Sequence, residues 1–148
     1  MRKTRPWERW AVSRAPGSTT ERRGVVVVLE DHADTRAALS EILTREGYDV
    51  FATADGMEAL DRLKIVPRPC VVLLDLHLAG MSGEDFYRRQ QSDPALASIP
   101  VIAVTAAPPD QRAGLGSIPV IRKPIDLDEL RFAIDRVTSR EKRAGPAS

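Results

Sequence analysis

The stretch Cys70-Val-Val-Leu-Leu-Asp75-Leu-His77-Leu-Ala79-Gly80-Met-Ser-Gly83 decides how the rest of the chain reads. Val71 to Leu74 form an unbroken apolar run, β-branched at its start. That is the pattern of a strand buried on both faces, the usual setting in a parallel sheet. The run ends in a carboxylate, Asp75, and passes through Gly80 and Gly83 into a loop. Ligands of open α/β sheets sit outside the carboxyl ends of the strands, so Asp75 stands where a cation ligand or a nucleophile would stand. Taken alone, a strand-end Asp reads first as a turn or helix-capping residue. What the other strands carry at their ends settles the matter.

Gly24 opens a first strand, Val25 to Leu29, which is also wholly apolar and ends in the acidic pair Glu30-Asp31. Asp34 then starts a helix, with Ala38, Leu39, Ile42 and Leu43 as a stripe at helical spacing and Gly47 as its cap. Tyr48 to Thr53 read as a second strand. Gly56 to Val66 read as a second helix, with Met57, Leu60 and Leu63 inward and Pro67 and Pro69 to stop it. After the Asp75 strand comes a third helix, Glu84 to Gln91. A fourth strand, Val101 to Val104, then ends in Thr105. Pro108-Pro109 and Gly114-Leu-Gly116 leave room for only a turn or so, so the fourth helix is short. A fifth strand, Pro119 to Ile121, leads to Lys123-Pro124. The last helix is capped by Asp126 with Glu129 three residues on, and turns Leu127, Leu130, Ile134 and Val137 inward. Strands alternating with helices make βαβ units, hence a doubly wound five-stranded parallel sheet with helices on both faces.

The length, 148 residues, fits one domain with a substantial core. The formal net charge of +1 is unevenly spread. Residues 1–23 hold seven Lys/Arg against two acids and residues 139–148 three against one, which leaves the body between them at −6. An acidic body argues against nucleic acid as the ligand and suits a bound cation. The expected organisation is a basic, irregular arm at 1–23, a domain at 24–138 and a basic tail at 139–148. Within the arm, Trp7 and Trp10 fall with Ala11 and Arg14 on one side of a short amphipathic helix, although a disordered leader is the plainer reading. The single cysteine, Cys70, excludes an internal disulfide and fits a reducing cytoplasm, with packing as its role. No apolar run approaches membrane-spanning length. A cytoplasmic protein is therefore expected.

Glu30 and Asp31, Asp75, Thr105 and Lys123 all follow strands of one parallel sheet, so they emerge on one edge. Carboxylates crowded there repel one another unless a cation sits between them. Hard oxygen ligands favour Mg²⁺ or a relative, and a lysine and a hydroxyl beside them suit phosphoryl oxygens. On these residues, over roughly 24–138, the chain resembles the receiver domain of two-component response regulators. The resemblance implies a flavodoxin-like fold of strand order 2-1-3-4-5. It implies Asp75 as phospho-acceptor, with Thr105 and Lys123 on the phosphoryl group. It further implies Mg²⁺ held by Glu30, Asp31, Asp75 and the backbone carbonyl of His77, a cis Lys123-Pro124 bond, and Gly83 closing the loop. The implied partners are a sensor histidine kinase or histidine phosphotransfer protein and a downstream protein target. No DNA-binding domain is expected, since only about ten residues follow the last helix. Such a domain catalyses only its own labelling and resetting and is not a conventional enzyme.

The sequence departs from the family in three places. Ala79 stands where proline is usual, Val120 stands where an aromatic residue switches rotamer on phosphorylation, and the chain between Thr105 and Lys123 is short, so the fourth helix is truncated. The chemistry is kept while the usual readout, through the fourth helix, fifth strand and last helix, is altered. A pseudo-receiver, a binding module that needs no phosphate, is the alternative function. A phosphohydrolase of the haloacid-dehalogenase type would need two aspartates two apart after its first strand, whereas Asp31 and Asp34 are three apart. A flavodoxin proper would need a hydroxyl-rich phosphate loop there, and Glu30-Asp31-His32-Ala33 has the wrong charge.

Overall fold

The computed structural model describes residues 23–68, 70–106, 115–116 and 118–144. The expected arm, apart from Arg23, and the expected short fourth helix fall outside these residues. The described elements are β1 (Val25–Leu29), α1 (Ala33–Arg45), β2 (Asp49–Thr53), α2 (Gly56–Leu63), β3 (Cys70–Asp75), α3 (Gly83–Ser92), β4 (Val101–Thr105), β5 (Val120–Arg122) and α4 (Leu127–Ala144). The strands form one sheet of order β2-β1-β3-β4-β5, every pairing parallel. β1 and β3 lie at its centre and are buried along their whole length. Continuous apolar runs become central strands because both of their faces must be covered.

Alternation along those strands divides the core in two. Val25, Val27, Leu29, Val72 and Leu74 face Leu60, Leu63, Phe86 and Leu96 on the α2/α3 side. Val26, Val28, Val71, Leu73 and Ile102 face Leu39, Leu43, Leu130 and Ile134 on the α1/α4 side. Cys70 is fully buried among the first group. Helix starts are set by short polar side chains accepting from backbone N–H groups. Asp55 caps α2 through Met57 and Glu58, Ser82 caps α3 through Asp85, and Asp126 accepts from Asp128 and Glu129 before α4. Gly47 ends α1 at a φ of +98°, where a side chain would be strained.

Several local expectations need correcting. Met57 is not inward: it is 50% exposed, because α2 buries Gly56, Ala59, Leu60 and Leu63 and turns Met57 to the rim. Ala38 is exposed and Ile42 only half-buried, so the α1 stripe narrows to Leu39 and Leu43. β5 is Val120–Arg122 and not Pro119 to Ile121; proline has no N–H to give a ladder, and Pro119 serves only through its carbonyl, which accepts from Ala103. α4 runs on through Ala144, beyond the expected start of the tail at 139.

Candidate functional site

The parallel topology brings the ends of β1, β3, β4 and β5 to one edge. Leu29 pairs with Leu74, Asp75 with Val104 and Thr105 with Arg122, so the residues that follow fall into one row. Glu30 and Asp75 are each 2% exposed, and Lys123 reaches across them. Its Nζ donates to Glu30 Oε1 at 2.9 Å and to Asp75 Oδ2 at 3.3 Å. The Lys123 backbone is fixed by its N–H to the carbonyl of Thr105 at 3.0 Å, and the Lys123-Pro124 bond is cis. Thr105 itself is fully buried at the end of β4.

The remaining expected residues are tied to the same rim. The His77 N–H donates to Asp75 Oδ1 at 3.0 Å, while its side chain is exposed. The Ala79 N–H donates to Asp31 Oδ2 at 3.2 Å, which laces the loop after β3 to the loop after β1. Gly83 N–H closes that loop on the Leu76 carbonyl at 3.2 Å. Among the described residues, the group whose ligating atoms all lie within 4.8 Å is Glu30, His32 and Asp75, without Asp31.

Two contributors were missed from the sequence. His32 donates its N–H to Glu30 Oε2 at 3.1 Å and brings Nδ1 within 3.4 Å of the same oxygen. Arg36, one turn into α1, donates to the carbonyls of Glu30 and Asp31 at 2.9 and 3.3 Å. Adjacency to the acidic pair was a signal for His32. Nothing in the spacing flagged Arg36.

One ammonium shared by two buried carboxylates does not neutralise both. Burial alone would raise Glu30, but hydrogen bonds from Asp75, Lys123 and the His32 backbone hold it down at about 2. Asp75 goes the other way, raised by burial and by the neighbouring Glu30. Burial works against the Lys123 ammonium, but Glu30 and Asp75 outweigh it and raise its pKa. Glu30, with the shorter contact to Lys123, therefore keeps the charge, and Asp75 is the carboxyl that more readily takes a proton.

The response regulator receiver domain model matches residues 26–135. The chain belongs to that family. Sporulation initiation phosphotransferase F of Bacillus subtilis is 32% identical over 115 residues, covering 75% of this chain and 90% of that protein. The transcriptional regulatory protein CrdR of Helicobacter pylori is 36% identical over 115 residues, covering 75% of this chain and 53% of CrdR. The receiver domain thus spans most of the first relative and about half the length of the second. The crystallised receiver domain of the sensor histidine kinase PA1611 from Pseudomonas aeruginosa superposes with a TM-score of 0.70 at 24% identity. The match covers 78% of this chain and 98% of that one, a likeness of fold, and that structure has a magnesium ion coordinated in its active-site cleft. Among the described residues, no helix of this receiver domain is long and apolar enough to cross a membrane.

Proposed function

We propose that this receiver domain takes a phosphoryl group onto Asp75 from a phosphohistidine on a sensor kinase or phosphotransfer protein, and passes the signal to a downstream protein. The observation that carries the reading is the Lys123 ammonium, 24% exposed and bonded to two carboxylates that are almost wholly buried. Burying such groups is costly even when they are paired, and buried, perturbed groups of this kind cluster at functional sites. An Asp75 oxygen attacks phosphorus, the P–N bond breaks, and its electron pair stays on the donor imidazole. Lys123 stands beside Asp75, where it would offset charge on the transferring oxygens, and Thr105, buried at the end of β4, is the hydroxyl that would bond one of them. Water attack on the acyl phosphate returns Asp75. The domain acts only on itself in both steps and is not a conventional enzyme.

The donor chemistry fits a hard dication. Glu30, Asp31, Asp75 and the His77 carbonyl are the oxygen ligands that would hold Mg²⁺, while the His32 ring, 74% exposed, offers nitrogen, which suits softer metals. Bound there, Mg²⁺ would supply the positive charge that favours ionised Asp75 and neutralises phosphoryl oxygens. The test is incubation with phosphoramidate and Mg²⁺ followed by intact mass. One phosphoryl group should be gained, and none by Asp75→Asn. An unchanged wild-type mass would favour a binding module that needs no phosphate.

A further inference from the structure

The chain has two histidines, and both stand at the rim of the acidic pocket, each two residues past a strand-end carboxylate. Those carboxylates are held alike. Lys123 takes one oxygen of each, Glu30 Oε1 and Asp75 Oδ2. The other oxygen accepts the N–H of the histidine two residues on, His32 to Glu30 Oε2 at 3.1 Å and His77 to Asp75 Oδ1 at 3.0 Å. The pocket thus fixes the backbone of both histidines, but their rings differ. The His77 ring is exposed and is not among the atoms that converge, whereas His32 brings Nδ1 to 3.4 Å from Glu30 Oε2. His32 also occupies the N-cap position of α1, which ordinarily goes to Ser, Thr, Asp or Asn, and its side chain makes no capping bond. The ring leaves the helix uncapped and lies against the carboxylate instead.

We infer that His32 makes this pocket a site for a nitrogen-preferring dication of the Zn²⁺ class, bound by Glu30, Asp75 and His32 Nδ1. The donor atoms of these three residues all lie within 4.8 Å of one another. At 3.4 Å the Nδ1 to Oε2 contact is long for a hydrogen bond. It fits the edge of a zinc tetrahedron, where ligands at about 2.0–2.1 Å from the ion stand about 3.3–3.4 Å apart. Adjacent corners of a Mg²⁺ octahedron are closer, at about 2.9–3.0 Å. One imidazole and two carboxylates also make the three-ligand set of an open zinc site, which leaves the fourth position to water or another oxygen. The ring, 74% exposed, is the member free to turn and close the remaining distance, since both carboxylates are buried. Mg²⁺ gains nothing from the ring because it takes oxygen ligands. His32 therefore sets which dication the pocket favours, raising affinity for imidazole-preferring ions over Mg²⁺. The inference rests on the proposed phosphoryl site only for the shared carboxylates and needs no phosphoryl transfer.

Co²⁺ reports the geometry directly, because the four-coordinate ion absorbs visible light far more strongly than the six-coordinate one. Titrating the untagged full chain with Co²⁺, without a phosphodonor, should give intense four-coordinate bands at one equivalent, and Zn²⁺ should abolish them. His32→Asn supplies a good N-cap and so spares α1. It should weaken Co²⁺ and Zn²⁺ binding by at least about tenfold, since a direct ligand counts for no less than the outer partners of a metal site. Its Mg²⁺ affinity, read by calorimetry, should stay at the wild-type value. Asp75→Asn should weaken Co²⁺ as well, and His77→Ala should leave the bands unchanged. Weak six-coordinate absorption in the wild type overturns the proposal, as do bands that survive His32→Asn or Asp75→Asn at full strength. Bands lost in His77→Ala overturn the choice of His32. Labelling by phosphoramidate and Mg²⁺ is measured separately, so its failure would sink the phosphoryl reading and leave the Co²⁺ result standing.

Discussion

The loop after β3 depends on the absence of one side chain, and a pair of glycine-to-alanine substitutions isolates that dependence. An alanine Cβ at 83 would lie 2.7 Å from the Leu76 Cα, 2.9 Å from the Asp75 carbonyl oxygen and 2.9 Å from Leu76 Cδ2. Two of these neighbours are backbone of the segment that presents Asp75, and they cannot move without moving it. At 56 the closest atom is at almost the same distance, 2.8 Å, but it is the Met81 Sδ, near the end of a side chain with three rotatable bonds. Overpacking against fixed atoms costs about 1–3 kcal/mol. Replacing glycine within a helix returns up to about 1 kcal/mol, and less at a first helical position such as these. Gly83→Ala should therefore lose about 1–2 kcal/mol net, while Gly56→Ala stays within about 0.5 kcal/mol of wild type. With a urea slope of about 2 kcal/mol per molar, the Gly83→Ala midpoint falls by roughly 0.5–1 M. Its Asp75 labelling by phosphoramidate should slow as well, whereas Gly56→Ala should label at the wild-type rate. Equal midpoints for the two variants would refute the distinction between backbone and side-chain neighbours.

Gln90 is fully buried and its Nε2 donates to the carbonyls of Leu96 and Ile99, holding the turn that feeds β4. Gln90→Leu should cost about 1–3 kcal/mol by urea unfolding, because it strips a donor from two carbonyls inside the core; a loss under about 0.5 kcal/mol would mean the turn holds itself. Tyr48 is raised above its ordinary 10.0 by burial and by Asp135. The phenol of the unfolded chain then ionises first, so its contribution is complete below that value and disappears as pH rises through the folded one. Wild-type stability should fall above pH 10.0 more steeply than that of Tyr48→Phe, and parallel curves of urea midpoint against pH would count against it.

The fold was legible because its strands are unambiguous. Val25 to Leu29 and Cys70 to Leu74 contain no residue that would accept a solvent-facing side, and both are buried throughout. Once they are central strands of a parallel sheet, topology alone puts Glu30, Asp75, Thr105 and Lys123 on one edge. Less was legible where contacts span the sequence. Asp31 meets the Ala79 N–H, 48 residues away, and no periodicity encodes that. Arg36 reaches back over a helical turn to two carbonyls, a contact set by how α1 leaves β1. Met57 failed because helical spacing gives a stripe without saying where the covering layer stops. It sits at the rim of a cleft lined by Asp31, Gly56, Met81 and Arg89, past the edge of the α2/α3 core.

The charge at the strand ends shows why these groups act as a set. Two buried carboxylates and one ammonium leave an excess negative charge, and Asp75 is the group pushed toward its proton. A nucleophile must be ionised, and burial together with the neighbouring Glu30 works against the ionised form of Asp75. Moving Lys123 closer to Asp75 would not cure this, since Glu30 would then be left buried without its 2.9 Å partner. Added positive charge would favour the ionised form of both carboxylates, and hard oxygen donors suit a dication for the purpose. On the proposed reading, a phosphoryl group on Asp75 would restore with its oxygens the negative charge that Lys123 already faces. The ammonium can then shift from carboxylate to phosphoryl oxygen with its backbone still anchored to Thr105. Lys123→Gln would keep a donor at that position but remove the charge, leaving two buried carboxylates with no cation between them. The same lysine thus offsets the resting pair and, on the proposed reading, would favour the labelled state, and β5 needs only three residues to hold it there.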